Sequence, residues 1–387
     1  MADWSKHSTA LTIKRIFSIV PLNNTYPGLH FGRVFAMLFI FSAHLVFVQP
    51  SFSWRKAAAW EILALRSQPA LIYFFVLTGF LIVFLWKDAK SLFDFFSKRF
   101  LRLLPLYFTV LLILFWKSDR TSIAYQELFF LSNMPFSMTY IMPWSWSLSV
   151  DEQIYILSGL IWFLWKRRTD HQNMILFFCL GIICAGIELL SVFSRKDLVN
   201  MGEMTFMRNY IYPTWLFFDA IFFGMALAFY SSLGRSIPPW KIYLSLVLAF
   251  CLYTVAWEPW ELSGVGGFLP TEPRLHYLAI GPASLAANLC FVFFLIYEKG
   301  RLFPFLRFSV FRYLASLTYS FYLIQIPVIQ VFGIYPENST SLEIFFFAAK
   351  ALVVSLVLSY ALHLTIEKPI IYLRTRFLNR RHHFETV

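Results

Sequence analysis

Charge is scarce in this sequence. Only 14% of its 387 residues are Asp, Glu, Lys or Arg, against about 25% in an ordinary soluble domain. That shortage excludes a water-soluble fold of the usual kind. It does not signal disorder, because 59% of the residues are hydrophobic and 46 are Phe, whereas disordered chains are poor in both. Cysteine is sparse too. Cys179, Cys184, Cys251 and Cys290 all lie in apolar runs, and none has metal-ligand spacing with a histidine. They read as small buried hydrophobes, with no disulfide framework and no metal site expected. A Walker-type phosphate loop, a dinucleotide fingerprint, a Gly-x-Ser-x-Gly elbow and a His-Glu-x-x-His pair are all missing. ATP-driven transport, serine-triad hydrolysis and zinc proteolysis therefore lose support. No cleavable signal sequence is expected, since the first apolar stretch is broken by Lys14 and Arg15. No internal repeat or low-complexity segment stands out.

What is abundant is apolar runs of membrane-crossing length, about 20 residues each. Ten are expected, at 33–49, 69–87, 102–117, 146–165, 173–193, 211–232, 241–257, 277–297, 313–333 and 344–366. The net charge is +12, but the basic residues sit between apolar runs rather than on a nucleic-acid-binding face. They collect in alternate loops: Lys87, Lys90, Lys98, Arg99 and Arg102; Lys166, Arg167 and Arg168; Arg235 and Lys241; Lys299, Arg301, Arg307 and Arg312. The tail adds Lys368, Arg374, Arg376, Arg380 and Arg381. The other set of loops holds Glu258, Glu261, Glu272, Glu337 and Glu343. Cationic loops mark the cytoplasmic side, so an even span count places both termini there. The expected fold is an all-α integral membrane protein, a polytopic bundle of about ten transmembrane helices. It divides into a cytoplasmic segment at 1–32, a membrane domain at 33–370 and a basic cytoplasmic tail at 371–387.

Ionisable groups inside a membrane are costly and so mark function by default. His44 lies about 16 Å along the first span from Arg33 at 1.5 Å per residue; it suits a general base, or a helix-packing hydrogen bond. Asp151 and Glu152 open the fourth span. One of them can face the bundle and orient a histidine, or both can sit in a solvated first turn at the helix N-terminus. Glu188 and Asp219 suit a secondary polar or acceptor site, or an interhelical hydrogen bond. His363, in the last span, is a weaker candidate of the same kind. Arg99 and Arg102, three apart, put two guanidiniums on one helix face. Two such forks fit a phosphate, or lipid headgroups at the cytoplasmic surface; Pro105 is tolerated if a first turn begins near Leu104. Trp144 and Trp146, with Tyr140, suit an interfacial belt or a sugar-stacking platform.

These segments, taken together and in order, resemble the membrane acyltransferase-3 family, which includes bacterial O-antigen and exopolysaccharide acetylases. "GRVFAMLFIFSAHLVF" is similar to the family's opening segment, which runs from an arginine to a histidine, here His44. "YFFVLTGFLI" is similar to its second-span signature, with Thr78 where Ser is usual. "SKRFLRLLPLY" carries its paired arginines as Arg99 and Arg102. "WSLSVDEQIYIL" resembles its acidic fourth-span motif, with Asp151 where Glu is usual. "LASLTYSFYLIQIPV" and "LHLTIEKPI" resemble its last two segments. Gln325 stands where many members have histidine, and Phe217 where an arginine is usual two residues before Asp219.

The resemblance implies a membrane-bound acyl-CoA-dependent O-acyltransferase in the bacterial inner membrane. Acetyl-CoA would be a donor substrate rather than a bound cofactor. The acceptor would be a sugar hydroxyl of a lipid-linked or surface polysaccharide. In that scheme Arg99 and Arg102 hold the CoA phosphates. His44 takes the acceptor proton or carries the acyl group, and Asp151 or Glu152 orients the imidazole. Ser42, Thr78 and Tyr155 are candidate oxyanion donors. The alternatives are N-acyl or larger acyl transfer, a proton-coupled transporter or flippase of a lipid-linked glycan, and an inactive member acting as a partner subunit.

Overall fold

The computed structural model describes residues 25–48, 68–134, 140–165, 168–194, 213–257, 273–333 and 339–373. Among them there is helix and turn but no strand. Eleven helices follow in order: α1 Pro27–Phe47, α2 Gln68–Asp88, α3 Leu92–Lys117, the short α4 Tyr125–Leu128, α5 Trp146–Trp165, α6 Asp170–Ser194, α7 Phe218–Ser232, α8 Pro239–Trp257, α9 Pro273–Tyr297, α10 Ser309–Phe332 and α11 Ser341–Leu362. A π-helical turn, His363–Glu367, extends α11.

Each of the ten expected spans falls on one of these helices, α4 being the addition. By length and apolarity, seven stretches of the described residues qualify as membrane crossings, and Pro239–Thr254 and Gly281–Tyr297 form shorter apolar helices. The chain is thus an all-helical integral membrane protein. The basic tail from 374 onward, the segment 1–24, and Lys166, Arg167, Glu258, Glu261, Glu272 and Glu337 lie outside the described residues.

α3 departs from expectation. It begins at Leu92, ten residues before the expected start, because Ser91 caps it: the Ser91 hydroxyl accepts the Asp94 N–H at 3.1 Å. Hydropathy hid this turn, since Lys98, Arg99 and Arg102 dilute it. Pro105 therefore sits inside the helix rather than in its first turn. Arg99 and Arg102 lie about 10 and 15 Å along it, not at its mouth.

α2 is central. Tyr73, Phe75, Val76, Phe80, Ile82 and Val83 are all at most 2% exposed. They pack against α7 and α9. A Cβ at Gly79 would strike the Ile221 backbone of α7, and one at Gly224 would strike Val76 of α2. Two glycines thus let these backbones touch, the usual device where lipid offers no hydrophobic drive to helix association. Asn288 ties α9 to α2 through the Pro69 carbonyl at 2.9 Å. α1 packs on α10, with Val34, Met37, Phe41 and Leu45 meeting Ala315, Phe321 and Ile329. α6 turns Ile182, Ile183, Ile187 and Leu190 outward, as a lipid-facing helix does. The cysteines also differ from expectation. Cys179 and Cys251 are exposed and Cys184 and Cys290 half-buried, all unpaired, because they occupy outward faces of apolar helices.

Lys87 at the end of α2 pairs with Asp170 at the start of α6 at 2.6 Å. This end, with the α2–α3 turn, is called the basic end below. The opposite end, carrying residues 118–134 and 140–146, is the loop end.

Candidate functional site

α3 and α5 bring their charges together in the interior. Arg99 Nε donates to Glu152 Oε1 at 3.1 Å. Its terminal nitrogen lies 3.6 Å from Asp151 Oδ2, and its guanidinium stacks 3.9 Å above the Tyr155 ring. Thr78 of α2 donates to Asp151 Oδ1 at 3.0 Å. Both carboxylates thus turn to one guanidinium, and Glu152 is only 1% exposed. Among the described residues neither makes a hydrogen bond to His44, so the expected orientation of the imidazole by Asp151 or Glu152 is not what this geometry shows. Arg99 competes for them, and a buried carboxylate needs a cation more than it needs a neutral ring.

Two further guanidiniums face the same space. Arg102 lies near Arg99, Tyr155, Tyr319 and Glu367. Arg33 of α1 lies near Arg102, Arg99, Tyr73 and Tyr155. Both side chains are half-buried. Among the described residues neither makes an ion pair; the carboxylates in reach are committed elsewhere. Asp151 and Glu152 hold Arg99, and Glu367 accepts from Ser320 at 2.6 Å and meets His363 Nδ1 at 2.7 Å. His363 and Glu367 bracket the π-helical turn, a distortion that often marks functional sites. An interior with two uncommitted arginines suits an anionic ligand. No group of three His, Cys, Asp or Glu among the described residues is spaced for a metal ion.

His44 sits toward the loop end of α1. It is half-buried, and its Nδ1 is buried without a hydrogen-bond partner. Nε2 is therefore the nitrogen on the accessible side. Its neighbours come from α10: the Gln325 side chain interacts with it, and the Tyr322 ring lies 6.5 Å away. Two candidate oxyanion donors are already engaged. Ser42 donates to the Leu38 carbonyl at 2.9 Å, and Thr78 to Asp151.

The loop end meets α10 beside His44. Tyr322 donates to the Trp144 carbonyl and meets the Ser147 hydroxyl at 2.7 Å. Trp144 is a packed residue, 7% exposed among Tyr107, Met142 and Leu148. Trp146 packs on Phe217, ring centroids 6.0 Å apart. Glu127 of α4 is fully buried and accepts the Met142 N–H at 2.6 Å. Burial pushes its carboxyl above the ordinary value, against the opposing effect of backbone N–H groups. Gln153 donates to the Phe130 carbonyl at 2.7 Å and to Asn133 at 2.8 Å, and accepts from Thr214. These bonds fasten residues 130–133 and the start of α7 to α5.

Glu188 and Asp219 face each other across the α6–α7 contact. Asp219 also accepts the Ala220 N–H at 2.6 Å. Among the described residues no hydrogen bond or ion pair joins them to the arginine cluster. Glu188 and Asp219 thus form a polar pair apart from the arginine cluster.

The family model described as an acyltransferase domain matches residues 26–364. The chain belongs to the membrane acyltransferase-3 family. No curated protein and no solved structure matches it. Membership supports an acyltransferase activity in an integral membrane protein. The match begins just before α1 and ends in the π-helical turn, so it contains every charged residue of the site except Glu367.

Sequence reasoning passed over Glu367, and it noted Arg33 and Gln325 only as the start of the opening segment and as a departure from the usual histidine, without a role. Arg33 had a signal. Eleven residues at 100° each bring it within about 20° of the His44 face. Glu367 had only a weak one, its place four residues after His363.

Proposed function

We propose that this acyltransferase-3 protein is an acyl-CoA-dependent O-acyltransferase. It moves an acyl group, acetyl by expectation, to a sugar hydroxyl of a lipid-linked or surface polysaccharide in the bacterial inner membrane. The observation that carries the proposal is the shared face of α1. It sets Arg33, which makes no ion pair among the described residues, beside Arg102 and eleven residues, about 16 Å of helix rise, before His44. A donor with an anionic head and a reactive thioester at the end of a long arm fits that layout.

Arg33 and Arg102 hold the donor phosphates. Arg99, neutralised by Asp151 and Glu152, is the scaffold that keeps α3 and α5 in register behind them. The thioester reaches His44 from the basic end, and the acceptor approaches from the loop end. His44 Nε2 takes the hydroxyl proton as the acceptor oxygen attacks the thioester carbonyl. The C–S bond then breaks, and the departing sulfur takes the proton from Nε2 to leave as free thiol. Glu188 and Asp219, with the loop-end aromatics Trp144 and Trp146, serve the acceptor side.

Donor binding tests this assignment. Purified protein in lipid nanodiscs is titrated with acetyl-CoA and with its 3′-dephospho form. Losing one charge-assisted phosphate contact, worth roughly 1.5–3 kcal/mol, should weaken binding about 10- to 100-fold. Arg33→Gln and Arg102→Gln should each weaken binding of acetyl-CoA by a similar factor. If well-folded protein binds neither ligand, the donor assignment fails, and a proton-coupled glycan flippase using the same interior charges becomes the better reading.

A further inference from the structure

We propose that Gln325 is the positioning residue of the site: its amide oxygen accepts the Nδ1 proton of His44 and so leaves Nε2 as the basic nitrogen. Two orphaned atoms carry the inference. His44 Nδ1 and Gln325 Oε1 are both buried, and neither has a hydrogen-bond partner. The two side chains nonetheless interact, and Gln325 is 1% exposed. An unmade bond at a buried polar atom costs about 1–3 kcal/mol. Pairing these two atoms removes both penalties at once.

The amide has a defined sense. Gln325 Nε2 lies 3.5 Å from the Tyr322 carbonyl of its own helix, which is an acceptor and wants the NH2 group. Oε1 is therefore the atom left to face outward from α10 toward α1. An oxygen acceptor beside Nδ1 demands a proton there, and a neutral imidazole with its proton on Nδ1 carries its lone pair on Nε2. That nitrogen is the one on the accessible side of the ring. The carboxylates that usually do this work in a histidine-based site are held by Arg99. An amide performs the orienting task without adding a charge to an apolar interior, where an unpaired charge is costly.

The chemistry rests on the acyl-transfer reading, but the tautomer does not. The test is the 15N spectrum of ring-labelled histidine in nanodiscs, with His44 assigned by difference against His44→Asn. The expected wild-type pattern is a protonated Nδ1 and an unprotonated Nε2. Gln325→Glu keeps an acceptor oxygen and should keep that pattern. Gln325→Leu removes it and should give a mixed or reversed tautomer, together with a fall of about 10- to 100-fold in acyl-transfer kcat at little-changed donor KM. A wild-type ring protonated at Nε2 overturns the proposal, as does a Leu variant with the wild-type tautomer. If the protein transfers no acyl group from any donor, the wild-type spectrum still decides the tautomer, and only the acyl-transfer reading falls.

Discussion

Arg99 and Arg102 are a pair in sequence and opposites in structure. Three residues put both on one face of α3, yet Arg99 is spent on Glu152 at 3.1 Å and Asp151 at 3.6 Å, while Arg102 makes no ion pair among the described residues. Removing one partner of a buried ion pair strands the other, at a cost of about 3–5 kcal/mol. Arg99→Gln should therefore lower the unfolding midpoint in detergent by roughly that equivalent. Arg102→Gln should leave the midpoint within about 1 kcal/mol of wild type while weakening the donor. Equal stability losses in the two variants would show that the arginines share one role. The residue types were legible in the sequence: His44, the two arginines and the two carboxylates stand out in an apolar chain. Their partners were not. Which carboxylate meets which cation depends on the rotation of α3 and α5 about their axes, and tertiary packing sets that. Gln325 carries no charge, so only the resemblance, with histidine usual at its place, marked it.

At the scale of elements, the helices were readable because a bilayer imposes length and apolarity on each of them. The exceptions are informative. The first turns of α3 are hidden by charges, of which Asp94 and Lys98 pair with each other and Arg99 and Arg102 face the other helices. The π-helical turn at His363–Glu367 has no hydropathy signature. α4 is too short to register, yet it sets the loop-end lid through Glu127, whose carboxyl accepts the Met142 N–H at 2.6 Å and whose carbonyl accepts from Tyr107 at 3.0 Å. Burial raises the Glu127 carboxyl above its ordinary value, so the folded state holds that proton more tightly than the unfolded state. Over the interval above the ordinary carboxylate value the native form binds more protons. Stability then falls as pH rises. A melting series from pH 5 upward should show the midpoint declining in wild type, with a flatter decline in Glu127→Gln. The same slope in both proteins would remove Glu127 as its source.

At the scale of the whole molecule, the bundle has two ends of different character. Arg33 and Arg102 lie nearer the basic end, and Tyr322 and Trp144 belong to the loop end. His44 lies toward the second. Composition announced the membrane and the spans followed from it. The separation of Glu188 and Asp219 from the arginine cluster, by contrast, needed the packing of α6 on α7, and of α7 on α2, to become visible. A chain built this way works as a transferase if donor and acceptor meet at His44, and as a carrier if one substrate passes through unchanged. The most direct measurement is transfer of radiolabelled acetyl from acetyl-CoA to an envelope glycan fraction by the protein in nanodiscs, where no gradient can exist. Wild type should label the glycan and release one free thiol per acetyl transferred. His44→Ala, folded and still binding the donor, should lose at least about 100-fold in rate, the low end for a positioned general base. Wild-type rates in His44→Ala, or glycan left unlabelled by protein that binds donor and acceptor, would contradict the account.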